Sequence, residues 1–438
     1  MIEDIFLIIM FVGLFAALLT GHPMAFAMGG IAVLLSVIGW GPESISIFVN
    51  MVYTSMNNYT LIAIPLFVLM GNFLSYSGIA NGLFESLRFS LGRLPGGLAI
   101  AVVIVSTIFA ATTGVVGASV VTIGMLSIPV LLKYGYDQKL TTGVVAAGGT
   151  LGILIPPSIM LVVMASYAQV SVGDLFKTAI VPGLLLSLCY AIYVLFICWK
   201  NPSLGPAISK EELATVSTSE MIKNFIVSSV PMTLLIVAVL VTIYTGVATP
   251  TEASGVGAAV ALLLTIFYKQ FNMKMLKEAV YDTAKTTAMV LFIIIGADAF
   301  TSMFLGLNGD QTIHHIIESL GLSGTAIFVA LIAAAFILGI FMEWPGIVSI
   351  LFPIFIPLLK LYDFNLVWVI TCVAVALQTS FLTPPVGGSL FYLKGIVPKE
   401  IKMGTIYRGV TPFVFIMLFV LVLIMVFPEL IMWMIDDQ

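Results

Sequence analysis

The sequence predicts an all-α polytopic membrane protein built from inverted structural repeats with broken helices, and three observations carry that prediction. Of 438 residues only 17 are Lys or Arg and 21 are Asp or Glu, a charged share of 9%, against about 25% in soluble domains. Apolar residues make up 61% and the mean hydropathy is +1.18, so stretches able to cross a bilayer follow one another along the chain. A proline pattern also occurs twice at one spacing. Ile128-Pro129 precedes Pro156-Pro157 and Ile356-Pro357 precedes Pro384-Pro385, 27 residues on in each half (129 to 156, 357 to 384). At about 20 residues per span the length accommodates roughly ten to thirteen crossings and leaves nothing for a large soluble domain. The net charge of −4 offers no basic surface for nucleic acid. Cys189, Cys198 and Cys372 are too scattered for a disulfide framework or a metal spacing.

Taken in order, apolar runs cover 5–20 and 24–40, joined by Gly21-His22-Pro23. They continue over 60–77, 97–128, 141–168 and 178–199 in a first half spanning 1–200. The polar stretch 201–224, with Pro202, Pro206, Lys210, Glu211, Glu212 and Lys223, reads as a cytoplasmic linker. A second half, 225–438, carries runs at 225–244, 247–268, 286–307, 325–341, 346–359, 366–391 and 410–433. The repeat copies occupy about 97–169 and about 325–393. Arg88 and Arg93 flank the first copy whereas Asp310 and Glu318 precede the second. The preference of Lys and Arg for cytoplasmic loops therefore starts the copies on opposite sides, an inverted repeat of the kind found in secondary transporters.

Both copies concentrate helix breakers beside neutral oxygen donors. The first holds Thr112-Thr113-Gly114-Val115-Val116-Gly117 and then Gly148-Gly149-Thr150-Leu151-Gly152-Ile153-Leu154-Ile155-Pro156-Pro157-Ser158. The second holds Gly339-Ile340-Phe341-Met342-Glu343-Trp344-Pro345 and Gln378-Thr379-Ser380-Phe381-Leu382-Thr383-Pro384-Pro385-Val386. Proline removes an amide donor and pushes its predecessor out of the α region. Backbone groups freed that way are tolerated in a membrane only where protein or a cavity meets them. Hydroxyls and carbonyls without formal charge suit a monovalent cation that must bind and leave, which favours sodium over a divalent ion. Close helix packing through Gly114 and Gly117, or a capped kink, is the structural alternative. Three carboxylates fall inside apolar surroundings. Glu252, in Thr249-Pro250-Thr251-Glu252, reads as a helix cap. Asp298 is left open between a cavity, a proton and a helix–helix bond, and Glu343 reads either as cavity-facing or as a cap. With no G-x-x-x-x-G-K-[ST] segment, a P-loop does not drive the work and an ion gradient is the remaining source. The rival readings are a passive channel or scaffold subunit, and an intramembrane enzyme; the absence of H-E-x-x-H removes its zinc-protease form.

The segment from Gly149 to Ser158, Ala248-Thr249-Pro250-Thr251-Glu252-Ala253, and Leu382-Thr383-Pro384-Pro385-Val386-Gly387 resemble the large membrane subunit of tripartite ATP-independent periplasmic (TRAP) transporters. The resemblance runs essentially from Met1 to Asp437. It implies a sodium-coupled importer of small organic acids in the bacterial inner membrane, with two re-entrant hairpins and an elevator-type motion. Implied partners are a periplasmic substrate-binding protein and a small four-helix membrane subunit; Na+ is the coupling ion and no cofactor is implied. By the same resemblance one sodium site would involve Thr113, Gly114 and the 149–156 segment with Gly149, Gly152 and Pro156. A second would involve Gly339, Ser380, Thr383 and Val386, and substrate would lie between the hairpin tips, with Ser158, Asp298 and Glu343 as cavity candidates. Relatives often carry serines where this chain has Thr113 and Val115, and an aspartate where it has Glu343.

Overall fold

The computed structural model describes residues 2–435 apart from 115, 210, 211 and 213–217, and no strand occurs among the described residues. Helices α1 (Ile2–Leu19) and α2 (Met24–Trp40) turn through Gly21, at a φ of +84° that a side chain would strain. A short amphipathic helix, α3 (Ile45–Met56), buries only Phe48; its length and mixed faces keep it out of any hydropathy reading. After α4 (Ala63–Tyr76) and α5 (Ile79–Leu91) come α6 (Gly97–Thr113) and α7 (Val116–Lys133), separated at Gly114, where φ is +58°. Asp137 caps α8 (Gln138–Thr150) by accepting from Lys139 N at 2.9 Å and Leu140 N at 3.0 Å. A 3-10 turn and Pro156-Pro157 then separate α8 from α9 (Ile159–Ala168), and α10 (Val172–Lys200) completes the half.

The second half begins with α11 (Thr218–Tyr244), whose first turns lie inside the polar stretch before the apolar run. Helix α12 (Pro250–Phe267) opens with a capping box. Glu252 Oε2 accepts from Thr249 N and Thr249 Oγ1, both at 2.8 Å, while Thr249 Oγ1 accepts from Glu252 N at 3.3 Å. Glu252 is thus the helix cap that its position suggests. Then follow α13 (Met273–Gly306), α14 (Gly309–Ser319), α15 (Gly324–Phe341), α16 (Trp344–Leu361), α17 (Leu366–Leu382), α18 (Gly388–Ile396), α19 (Met403–Val426) and α20 (Glu429–Met432). Among the described residues nine helices are long and apolar enough to cross a membrane. The nine include α7, α15 and α16, while α8 with α9 and α17 with α18 form two composite elements, each divided at a proline pair.

Two hairpins, α6–α7 and α15–α16, organise the interior. The ends of the first come together at its base, where Leu98 N donates to Tyr136 OH at 3.1 Å. At the base of the second, Gly324 is so close to Tyr362 that a Cβ would fall 2.8 Å from the ring. Their tips, Gly114 and Glu343, line one cavity, so the hairpins point at each other from opposite ends. Each packs on the first half of its own broken helix, α8 or α17, and on the short second half of the other copy's: α18 against α7 and α9 against α16. That exchange is the inverted repeat in physical form. Part of the linker is pinned to the first hairpin's base, with Gly96 N donating to Gly205 O and Ile208 N to Gly92 O at 2.8 Å, and Asp137 N to Leu204 O at 2.9 Å. Arg88 adds an ion pair to Glu212 at 3.1 Å. The Tyr134 hydroxyl, by hydrogen bonding, and then the Arg88 charge hold the Glu212 carboxyl below the usual carboxylate range.

Candidate functional site

A narrow cleft, with a cavity volume of about 40 Å³, lies between the hairpin tips. Its wall is built from Gly114, Val116 and Gly117 of the first hairpin, and from Glu343 and Trp344 of the second. The broken helices give Ile159, Phe381 and Tyr392, and the unbroken helix α13 closes it with Met289 and Val290. Close approach depends on glycine. A Cβ at Gly117 would fall 3.0 Å from the Tyr392 ring, and one at Gly114 would fall 3.2 Å from Ile159 while forcing a left-handed backbone. Glu343 precedes α16 without capping it through its side chain, so of its two alternatives the structure takes the cavity-facing one.

The two broken regions flank this cleft. Around the first, Gly149 lies against α7, where a Cβ would meet Val120 Cγ2 at 2.4 Å. Gly152 falls in the 3-10 turn, and Pro156 is joined to Pro157 by a cis peptide bond. Ser158 is wholly buried; its hydroxyl donates to Ile153 O and accepts from Leu161 N at 3.4 Å, which caps α9. Ser158 therefore stands behind the cleft wall, one residue from Ile159, rather than on its surface. Thr113 ends α6, but its side chain and all of Val115 lie outside the described residues.

Around the second break, Gly339 and Ser380 touch: a Cβ on Gly339 would lie 2.0 Å from Ser380 Oγ. Ser380 Oγ donates to Leu377 O at 2.6 Å and Thr383 Oγ1 donates to Thr379 O at 2.8 Å. The Thr383 hydroxyl is therefore not free as its place before Pro384 suggests. Its proton is committed to the preceding turn, and lone pairs remain for a ligand. Val386 is half-buried and Pro385 exposed, whereas everything from Leu151 to Met160 is buried. Ser389 Oγ and Tyr407 OH, which the sequence reading does not single out, occupy carbonyls bared by this break: Phe381 O at 2.6 Å and Pro385 O at 2.8 Å.

Asp298 does not join Glu343. It lies on α13 in a separate cleft with Ser55, Asn58, Ser166 and Tyr167. Its partners come from α3 and α9, so of its three open roles the structure displays two, a place in a cavity wall and a bond between helices. Met289, Val290 and Tyr392 are further wall residues absent from the sequence candidates; an aliphatic or aromatic residue inside an apolar run carries no local mark of facing a cavity.

Opposed hairpins and two broken helices enclosing one cleft inside a bundle of spans define a solute permease with inverted repeats. The chain belongs to the tripartite ATP-independent periplasmic transporter family, DctM component, whose family model matches residues 11–430. It is 32% identical over 402 residues to the C4-dicarboxylate TRAP transporter large permease protein DctM of Pseudomonas aeruginosa, covering 91% of each chain. It is 31% identical over 417 residues to the isethionate TRAP transporter permease protein DctMQ of Oleidesulfovibrio alaskensis, covering 94% of this chain and 64% of that one. In fold it is similar to the YdaH transporter of Alcanivorax borkumensis, with a TM-score of 0.62, 15% identity and 89% coverage of both chains. The chain is thus a multi-pass inner-membrane permease component, and the enzyme reading falls with that membership.

Proposed function

We propose that the chain imports a small organic acid across the bacterial inner membrane in symport with sodium, taking the solute from a periplasmic binding protein and working beside a small four-helix subunit. The observation that carries this reading is the duplication: two breaks with neutral oxygen ligands flank one cleft between opposed hairpin tips. Sodium is written here as cargo, bound near Gly114, Gly149, Gly152 and Pro156 on one side and near Gly339, Ser380, Thr383 and Val386 on the other. Bound cations would neutralise part of an anionic solute's charge beside Glu343, which otherwise repels it. The similarity to a C4-dicarboxylate permease supports an organic acid, and the DctMQ relative supports a companion membrane subunit. An elevator motion would carry both hairpins together, since each copy's half-helix packs on the other's hairpin.

Reconstitution of the chain with its small subunit and a candidate binding protein tests the proposal. Uptake should require sodium at constant membrane potential and stop when choline replaces it. Full uptake in choline with a proton gradient would overturn the ion assignment, and uptake that follows the solute gradient alone would return the passive-channel reading.

A further inference from the structure

The open cleft around Asp298 has a cavity volume of about 270 Å³ and is walled by α3, α9 and α13 with the turns that follow α3 and α9. Both carboxylate oxygens are engaged, each by a hydroxyl from a different element. Ser55 Oγ of α3 donates to Oδ2 at 2.6 Å, and the Tyr167 hydroxyl of α9 donates to Oδ1. Beside them Asn58 Nδ2 donates to Ser166 Oγ at 3.0 Å, a second polar bond between the α3 side and α9. Helix α9 is the second half of the first broken helix. Its other end, eight residues and about 12 Å from Tyr167 at 1.5 Å per residue, is Ile159, which packs over Gly114 and lines the hairpin-tip cleft. Asp298 thus grips the far end of the element whose near end forms the wall of the transport site.

A seam of this composition is a poor choice for stability alone. A carboxylate inside a membrane protein is costly, and a packed apolar contact would join the same helices at less cost. What a polar seam around a cleft offers instead is reversibility, because water can replace each bond as the helices part.

We propose that Asp298 is a positioning residue for transport: through Tyr167 it latches α9 to α3 and α13 in the conformation seen here, and the latch opens when the site changes the side to which it faces. The transport part rests on the function proposed above.

The test is a double-cysteine variant, Asn58→Cys with Ser166→Cys, in a chain lacking Cys189, Cys198 and Cys372, with mercuric ion as the thiol bridge. The pair should cross-link rapidly, uptake should stop, and an excess of a competing dithiol, which takes up the mercury by thiolate exchange, should restore it. A cross-link only strengthens the fold, so reversible arrest is a readout that a merely structural seam would not produce. Asp298→Asn and Tyr167→Phe, each added to the pair, should slow cross-linking several-fold, and both together should slow it no more than either alone. Cross-linked protein that transports at the unmodified rate would overturn the proposal, as would a pair that fails to bridge or a rate indifferent to both substitutions. The bridging rate needs no solute, so a chain that bridges as expected yet imports nothing would overturn the transport reading while the latch itself is still decided.

Discussion

At Gly339 a hydrogen in place of a methyl group lets α15 lie directly on Ser380. A Cβ would meet Ser380 Oγ at 2.0 Å and Ser380 Cβ at 2.6 Å, so no rotation of the serine relieves the clash. Gly339→Ala should cost about 1–3 kcal/mol by overpacking, read as a lower melting temperature. Pairing it with Ser380→Gly removes the obstructing side chain and should recover much of that stability. If Ser380 ligates sodium, the pair should still show a raised sodium requirement for uptake; a normal sodium curve in the stable double variant would remove Ser380 from the site. Thr383 poses the same question with finer resolution. Its proton goes to Thr379 O, so Thr383→Val loses one hydrogen bond, about 1 kcal/mol. A lone pair aimed at a cation is a further loss, and about 1–2 kcal/mol there raises the half-maximal sodium concentration about 5- to 30-fold. Titrating sodium and melting the same purified variant separates the two contributions, and a fall in melting temperature with an unmoved sodium curve assigns Thr383 to structure alone.

Among the elements, those that the sequence announces are the ones whose cause is local. Proline pairs interrupt helices wherever they stand, so the breaks at Pro156-Pro157 and Pro384-Pro385 are legible from composition, as is the Thr249–Glu252 box from its spacing. Helix α3 is not, because twelve residues of mixed polarity carry no span signal. The surroundings of Asp298 are not either, since Tyr167 and Ser55 are 131 and 243 residues away and meet it only through packing. The cleft wall illustrates the same limit: Gly114 and Glu343 stand out at helix breaks, while Met289 in the middle of α13 does not. The opposed direction of the hairpins leads to a prediction at this scale. Arg93 precedes the base of one and Asp310 the base of the other. Cysteines introduced at those two positions, in a chain without native thiols, should react with an impermeant maleimide from opposite faces of the membrane. Reaction of both from one face would contradict the inverted arrangement.

Over the whole molecule the two copies are alike in order and unlike in exposure, and that asymmetry is informative. The offset that aligns Pro129 with Pro357 places Ser158 opposite Val386 and Pro157 opposite Pro385. A repeat related by symmetry would bury each pair equally, yet Ser158 is wholly buried and Val386 half-exposed, Pro157 is buried and Pro385 exposed. Corresponding segments in unequal surroundings are what one of two states would show if a transport cycle exchanges the roles of the copies, the logic of alternating access in inverted repeats. In the conformation seen here a thiol at Val386 should be reactive and one at Ser158 inert. Conditions that turn the site to the other side should reverse that order, slowing Val386→Cys and exposing the 156–158 segment. Labelling rates for the two single-cysteine variants, measured with and without sodium, solute and binding protein, read the exchange directly. A common response of both positions under every condition would mean that the asymmetry belongs to the sequence of each copy rather than to a state, and would take away the structural ground for a two-state cycle.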